Sequence, residues 1–247
     1  MDPLIVVVAL GAAAGGFVQG LSGFAFGLVA MAIWAWWLDP GLAGPLVVFG
    51  SLASQLLSIG SVRRGFDLRR VLPFIVGGVL GVPVGVALLR QIDPLAFKLA
   101  VGILLVAWCP AMLLARELPR ITGGGRLADA GAGLLGGVMG GIGGLTGPAP
   151  TLWITLRGWD RDTQRAVFQV FNLVMHGLTM MAYLATGAIS AQAAHLFLVV
   201  APAMLVPTLV GARLYRRFSD AAFRRIVLGL LAASGAILIV TTLPRLP

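Results

Sequence analysis

The sequence predicts an all-α polytopic membrane protein of two inverted repeats, each a glycine-broken helical hairpin followed by three transmembrane helices. The chain has 247 residues, of which 59% are hydrophobic and only 11% charged, whereas soluble domains carry about 25% charged residues. Several uncharged runs reach the roughly 20 residues that a spanning helix needs. The two longest runs each contain a glycine cluster, and a constant offset along the chain relates these clusters.

Composition also restricts the function classes. A net charge of +9 would suggest nucleic acid as the partner of a soluble protein. Here the arginines cluster in short loops, as orientation by basic loops requires, so the predicted partner is the lipid bilayer and not nucleic acid. The single cysteine, Cys109, excludes an internal disulfide. The sequence shows no nucleotide motif and no cluster of metal ligands, so we predict neither a cofactor nor a metal.

Eight apolar segments follow one another, at about 4–37, 42–61, 71–89, 95–115, 127–156, 166–185, 193–212 and 222–242. Two of them are too long for one crossing. As straight helices, segments 4–37 and 127–156 would measure about 51 and 45 Å, against a hydrocarbon core of about 30 Å. Both contain a glycine cluster, at 15–27 and 136–147, and glycine weakens a helix. We therefore predict that each folds into a hairpin of two half-length helices that meet at the glycines.

The basic residues test these hairpins. If all eight segments cross once, Lys and Arg divide 8 to 10 between the two sides. If segments 4–37 and 127–156 each enter and leave on one side, the division becomes 15 to 3, and only Arg90, Lys98 and Arg245 lie on the poorer side. That asymmetry is what cytoplasmic loops rich in basic residues predict. Two short complete crossings per segment would give the same division. Both termini are then expected on the non-cytoplasmic side.

The two halves of the chain resemble each other. An offset of 121 aligns the glycines of the two clusters, and it also aligns Ser51 with Asn172 and Gln55 with His176. Each half contains one hairpin and three crossings, and this odd number predicts inverted orientations in the membrane. We predict repeat one at 1–118, a cytoplasmic linker at 119–126 and repeat two at 127–247.

Two motifs indicate a family. The run Gly-Phe-Val-Gln-Gly-Leu-Ser-Gly-Phe-Ala-Phe-Gly at 16–27 resembles the first signature of the TauE/SafE sulfite exporter family, and Gly-Gly-Ile-Gly-Gly-Leu-Thr-Gly-Pro at 140–148 resembles the second. The basic turn Arg63-Arg64-Gly65-Phe66-Asp67 is also similar to the family pattern. The resemblance covers essentially the whole chain. It implies transport of small sulfur-containing anions, such as sulfite or organosulfonates, across the bacterial inner membrane.

An anion in a membrane needs hydrogen-bond donors, and helix N-termini supply unpaired N–H groups and a partial positive charge. We expect the second helix of each hairpin to begin near 22–25 and near Pro148. Matched polar pairs on the second and sixth apolar segments would complete the pocket. The predicted substrate contacts are Gln19, Ser22, Gly23, Phe24, Ala25, Ser51, Gln55, Gly144, Thr146, Gly147, Asn172 and His176. Close packing through small residues is the alternative for any single glycine, and interhelical hydrogen bonding is the alternative for Ser51 and Asn172.

These features predict a secondary transporter, in the direction of export, that works by alternating access and is not an enzyme. His176 is the one ionisable side chain predicted deep in the membrane, and such residues are functional by default. An anion channel of the same architecture is an alternative, and the sequence leaves a homodimer open. A second alternative is an intramembrane serine protease, because Gly20-Leu21-Ser22-Gly23 resembles the rhomboid motif and His176 could serve as its base.

Overall fold

The structure, a computed structural model, describes residues 2–22, 25–58, 67–115, 120–214 and 220–245. This part of the chain is helical and contains no strand. Its helices are α1 Pro3–Ser22, α2 Phe26–Trp34, α3 Pro40–Ser58, α4 Leu68–Leu89, α5 Pro94–Leu114, α6 Gly125–Gly143, α7 Pro148–Leu156, α8 Arg161–Ala185, α9 Ala191–Leu214 and α10 Asp220–Thr242, followed by a 3-10 turn at Leu243–Arg245.

Seven of the described helices are long and apolar enough to cross a membrane, namely α1, α3, α4, α5, α8, α9 and α10. The predicted all-α polytopic membrane fold is therefore confirmed. Helices α2 and α7 have only nine residues each, which is about 13 Å of helix. Each follows a long helix across a short break, so both over-long apolar segments are broken at their glycines as predicted.

The two arms of each hairpin are unequal, and the prediction of two half-length helices is wrong for the first arm. Helix α1 has 20 residues and α6 has 19, or about 30 and 28 Å. Most glycines of the two clusters lie inside these long helices, because neighbouring helices pack directly against them. The chain reverses only at the end of each cluster, so position within the cluster, more than glycine content, decides where the helix stops.

The halves contain the same order of elements, with a long helix, a nine-residue helix and three further long helices in each. Helices of one half pack against helices of the other half. Helix α1 packs along α9, and its counterpart α6 packs along α4, while α3 meets α8 and α5 meets α10. This pairing supports two structural repeats. Their orientation in the membrane and the boundaries 1–118, 119–126 and 127–247 stay predictions.

Glycines set the distance between helices that pack across the two halves. A Cβ on Gly16 of α1 would lie 2.7 Å from the Met204 carbonyl oxygen of α9, and a Cβ on Gly137 of α6 would lie 2.8 Å from Gly78 Cα of α4. Both distances are too short for any side chain, so backbone packs on backbone, as at small-residue interfaces in membranes. We call these two contacts the glycine seams.

An aspartate begins α8 at one end of the bundle. The Asp160 carboxylate accepts hydrogen bonds from the Thr163 hydroxyl (2.6 Å) and the Thr163 N–H (2.9 Å). These bonds, that from the hydroxyl above all, hold the pKa of Asp160 below its usual range because they stabilise the charged form. The cap fixes where α8 starts, and with it the depth at which the polar residues of α8 lie.

Candidate functional site

The two helix breaks meet inside the bundle. A Cβ on Gly27, in the first turn of α2, would lie 3.1 Å from the carbonyl oxygen of Gly144, the C-cap of α6. Helix α3 covers the same place, because Val47 and Val48 contact Gly144 and Val47 also contacts Gly27. The start of α2 and the end of α6 are therefore neighbours, and most of the predicted site residues described by the structure lie around this point.

Side chains cap the start of α2. Gln19 Oε1 accepts a hydrogen bond from the Phe26 N–H (3.0 Å), and Ser22 Oγ accepts one from the Ala25 N–H (3.2 Å). The Ala25 N–H is thus already bonded within the protein in this structure, and contact of Ala25 with an anion stays a prediction. A helix start away from water needs local acceptors for its unpaired N–H groups, and α1 supplies them. Gly23 and Phe24 lie outside the described residues.

Capping orients the Gln19 amide. Its oxygen is used by Phe26, and its Nε2 has no hydrogen-bond partner among the described residues although the side chain is only 1% exposed. An amide nitrogen carries two N–H donors. At the first break, therefore, the amide N–H groups of Gln19 are available as donors, whereas the Phe26 backbone N–H is already bonded.

The second break is built differently. Helix α6 ends at Gly144, whose φ of 69° is left-handed and suits glycine, and α7 begins at Pro148 as predicted. Pro148 and Pro150 have no N–H, so Ala149 carries the sole N–H of the first three positions of α7. This helix start needs no glutamine cap, and Gly140 occupies the position that corresponds to Gln19. The N–H groups of Thr146 and Gly147 stay candidate contacts.

A buried network joins the second break to α8. His176 Nε2 lies 3.0 Å from the Gly144 carbonyl oxygen and 3.3 Å from Thr146 Oγ1, and the Thr146 hydroxyl donates to Asn172 Oδ1 at 2.8 Å. Because a carbonyl can only accept, Nε2 carries a proton and donates. The Asn172 oxygen is then occupied, and its Nδ2 has no partner in the part of the chain that the structure describes. Asn172 therefore presents N–H donors, as Gln19 does.

Helix α3 supplies a third donor. Ser51 is 2% exposed, its hydroxyl has no partner among the described residues, and it lies 3.5 Å from the position of a Cβ on Gly27. Gln55 is also buried, one turn farther along α3. The contacts therefore bring Ser51 to the junction of the breaks and leave Gln55 one turn beyond it.

Sequence reasoning missed part of a polar face on α8. Gln169, Thr179 and Tyr183 are buried together with Asn172 and His176, and the spacing of three or four residues places all five on one side of the helix. The Tyr183 hydroxyl donates to the Gly141 carbonyl oxygen at 2.7 Å, which holds α6 against α8. That spacing is visible in the sequence and could have identified these residues.

The far end of the second hairpin is closed by a buried carboxylate. The Trp153 indole N–H donates to Asp129 Oδ1 at 2.7 Å, and Arg157 Nε lies 3.8 Å from the same oxygen. The first hairpin is closed by a similar bond without charges, from the Trp34 indole to the Val7 carbonyl oxygen at 3.2 Å. In each hairpin, therefore, the short helix is fixed to the long helix at a distance from the breaks.

Gln19 variants separate its two roles. Gln19→Leu leaves the Phe26 N–H buried without a partner, which costs about 1–3 kcal/mol, so we expect a lower thermal midpoint and weaker substrate binding. Gln19→Glu keeps an acceptor for Phe26 but replaces the N–H donors. We expect it to keep most of the stability and lose binding. Thermal unfolding in detergent and anion binding measure the two effects, and equal loss of stability in both variants would contradict this assignment.

A family model matches most of the chain. The model described as Sulfite exporter TauE/SafE covers residues 7–238. No curated protein and no solved structure matches the chain. The matched range includes both breaks, α3 and α8, and thus every residue of the candidate site.

Proposed function

The chain belongs to the sulfite exporter TauE/SafE family of membrane transporters, and we propose that it exports sulfite or organosulfonates across the bacterial inner membrane by alternating access. Membership confirms the resemblance carried by the two glycine motifs and assigns the chain to the transporters of sulfur anions. It also sets aside the serine protease alternative, since the family is not enzymatic. The choice of anion, the direction and the mechanism belong to the proposal.

One observation carries the proposed site. Where the two breaks meet, three buried side chains have donor atoms without a partner in the described structure, namely Gln19 Nε2, Ser51 Oγ and Asn172 Nδ2. Unsatisfied buried polar atoms are rare in native proteins, since each costs free energy. An oxyanion consists largely of acceptors, so buried donors of this kind fit a bound sulfite or sulfonate group.

The glycine seams suggest which parts move. Seam contacts join α1 to α9 and α6 to α4, so the long helix of each hairpin is bound to the other half of the chain. Alternating access then moves two mixed groups of helices, each with one hairpin, and not one repeat against the other. Movement between the groups would separate Gly27 from Gly144 and open the site to one side.

Basic side chains support the orientation. Arg70 of α4 and Arg157, the C-cap of α7, both lie over the Trp159 ring, at 5.4 and 5.6 Å, and Arg120 packs on Gly158. These arginines come from three distant segments and share one end of the bundle. We assign that end to the cytoplasm, which places the N-terminus on the other side.

Flux into proteoliposomes tests the function. Proteoliposomes that contain the purified protein should take up radiolabelled sulfite and methanesulfonate faster than protein-free liposomes, and the rate should saturate with anion concentration. Saturation supports a transporter, and flux that rises linearly with concentration would favour the anion channel. If neither anion enters faster than in protein-free liposomes, the proposed substrate class is wrong.

His176 variants test the network at the second break. In His176→Ala, the Gly144 carbonyl loses its partner and Thr146 keeps only Asn172, so we expect flux to fall about tenfold or more and its pH dependence to change. His176→Gln keeps a donor and should retain part of the flux. Initial rates across a pH series measure both effects. A wild-type rate and profile in His176→Ala would remove this residue from the mechanism.

A further inference from the structure

The candidate site contains neutral donors and no fixed charge. Gln19 and Asn172 contribute amide nitrogens and Ser51 a hydroxyl, and all three side chains are buried. The amide oxygens of Gln19 and Asn172 are already occupied by Phe26 and Thr146. The site thus presents mainly donors: both amide acceptors are used within the protein, and His176 Nδ1 is a buried acceptor without a partner among the described residues.

The surrounding sequence carries almost no charge. Residues 3–38, 40–62, 130–156 and 166–212 contain no Asp, Glu, Lys or Arg, and these ranges include both breaks, all of α3 and α8 from Ala166 onward. Arg165 is the nearest basic residue along α8, seven residues before Asn172, which is about 10 Å along the helix. Asp129 lies at the opposite end of α6 from the break.

The titratable side chains around the junction are few. On α8 they are His176 and Tyr183, which bond to the Gly144 and Gly141 carbonyl oxygens. Helix α5 contributes Cys109, which is buried next to Trp108, and the Trp108 indole donates to the Pro148 carbonyl oxygen at 2.8 Å. In the described parts of α1, α2 and α3 there is no titratable side chain. No group of fixed positive charge is therefore in contact with the donor atoms in the part of the chain that the structure describes.

We infer that this site selects singly charged sulfur oxyanions, such as organosulfonates and hydrogensulfite, over doubly charged ones such as sulfate and the sulfite dianion. This inference rests on the proposed function. Moving an ion out of water costs free energy that grows with the square of its charge, so a dianion costs about four times as much as a monoanion of similar size. Three neutral donors can stabilise one negative charge, whereas a second charge would need a cation at the site.

Flux of three anions tests the selectivity, with equal pH on both sides of the membrane. Methanesulfonate is singly charged and sulfate doubly charged throughout the pH range, whereas sulfite gains a proton as the pH falls through neutrality. We expect methanesulfonate flux to exceed sulfate flux by at least about tenfold. Sulfite flux at constant total concentration should rise toward acidic pH with the hydrogensulfite fraction, after division by the methanesulfonate flux at each pH. That division removes the effect of titrating the protein itself, including His176.

The outcomes separate the inference from the function. Sulfate moving as fast as methanesulfonate, or normalised sulfite flux that stays constant or falls toward acidic pH, would overturn the selectivity while the transporter function stands. Sulfate and sulfite moving without methanesulfonate would overturn it too. If none of the three anions moves, the proposed function itself fails.

Discussion

The Asn172→Asp variant is expected to lose binding and transport of singly charged sulfur anions by about a thousandfold. Asn172 Nδ2 is a buried donor without a partner among the described residues, and the substitution replaces it with a carboxylate oxygen of the same size. Two like charges about 4 Å apart repel by about 4 kcal/mol at an effective dielectric constant of about 20. The Thr146 hydroxyl can still donate to the carboxylate, so the fold should persist.

The matched control changes the charge elsewhere. Gln192 is exposed on α9, and Gln192→Glu removes an amide and adds one negative charge away from the breaks. We expect wild-type flux in this variant, with the same yield and thermal midpoint as the wild type. Asn172→Asp retaining flux within tenfold of the control would contradict a role of Asn172 in binding.

The second large effect concerns the seam between α6 and α4. Gly137→Leu would bring a side chain against the backbone of Gly78, where a Cβ alone would lie 2.8 Å from Cα and 2.9 Å from the carbonyl carbon. Backbone cannot rotate away as a side chain can, so the helices must separate. Extra methylene groups in a packed core cost about 1–3 kcal/mol, and a whole leucine at this contact should cost more. We expect most of the monodisperse protein to be lost on size-exclusion chromatography in detergent.

Gly131 provides the control on the same helix. It is exposed, and a Cβ at this position meets no atom within 4 Å. Gly131→Leu makes the same change of residue type in α6, six residues before the seam contact at Gly137, and should leave yield and elution volume unchanged. Equal behaviour of the two leucine variants would show that the seam does not require close backbone contact.

The hairpins could be predicted because their signals are local. Length alone makes segments 4–37 and 127–156 too long for one crossing, and Pro148 marks the start of α7 because proline suits the first turn of a helix and not its interior. The lengths of the two helices in each hairpin could not be predicted from glycine content. A glycine inside a helix is destabilising by itself, but Gly16 and Gly137 gain packing against α9 and α4, and such contacts between distant segments are invisible in a single sequence.

Part of the candidate site is visible in the sequence. Residue type alone indicated Gln19, and residue type together with the repeat offset indicated Ser51 and Asn172, because a polar side chain in an apolar helix is conspicuous. The donors were predicted to be backbone N–H groups, whereas the Gln19 and Ser22 side chains cover those at Phe26 and Ala25. Whether a side chain folds back over a helix start depends on the geometry of the break, which spacing does not encode. The contact between Gly27 and Gly144 is likewise a tertiary feature.

The central claim is that an anion binds where the two breaks meet, and substrate protection of a single cysteine tests it most directly. Cys109 is the one native cysteine, so Cys109→Ala provides the background for Ser51→Cys at the site and Thr186→Cys at the exposed end of α8. Labelling by N-ethylmaleimide is followed with and without saturating methanesulfonate, which does not react with thiols. We predict that methanesulfonate slows labelling of Ser51→Cys at least about tenfold and leaves Thr186→Cys unchanged. Equal labelling of Ser51→Cys with and without the anion, in protein that still transports it, would contradict the site.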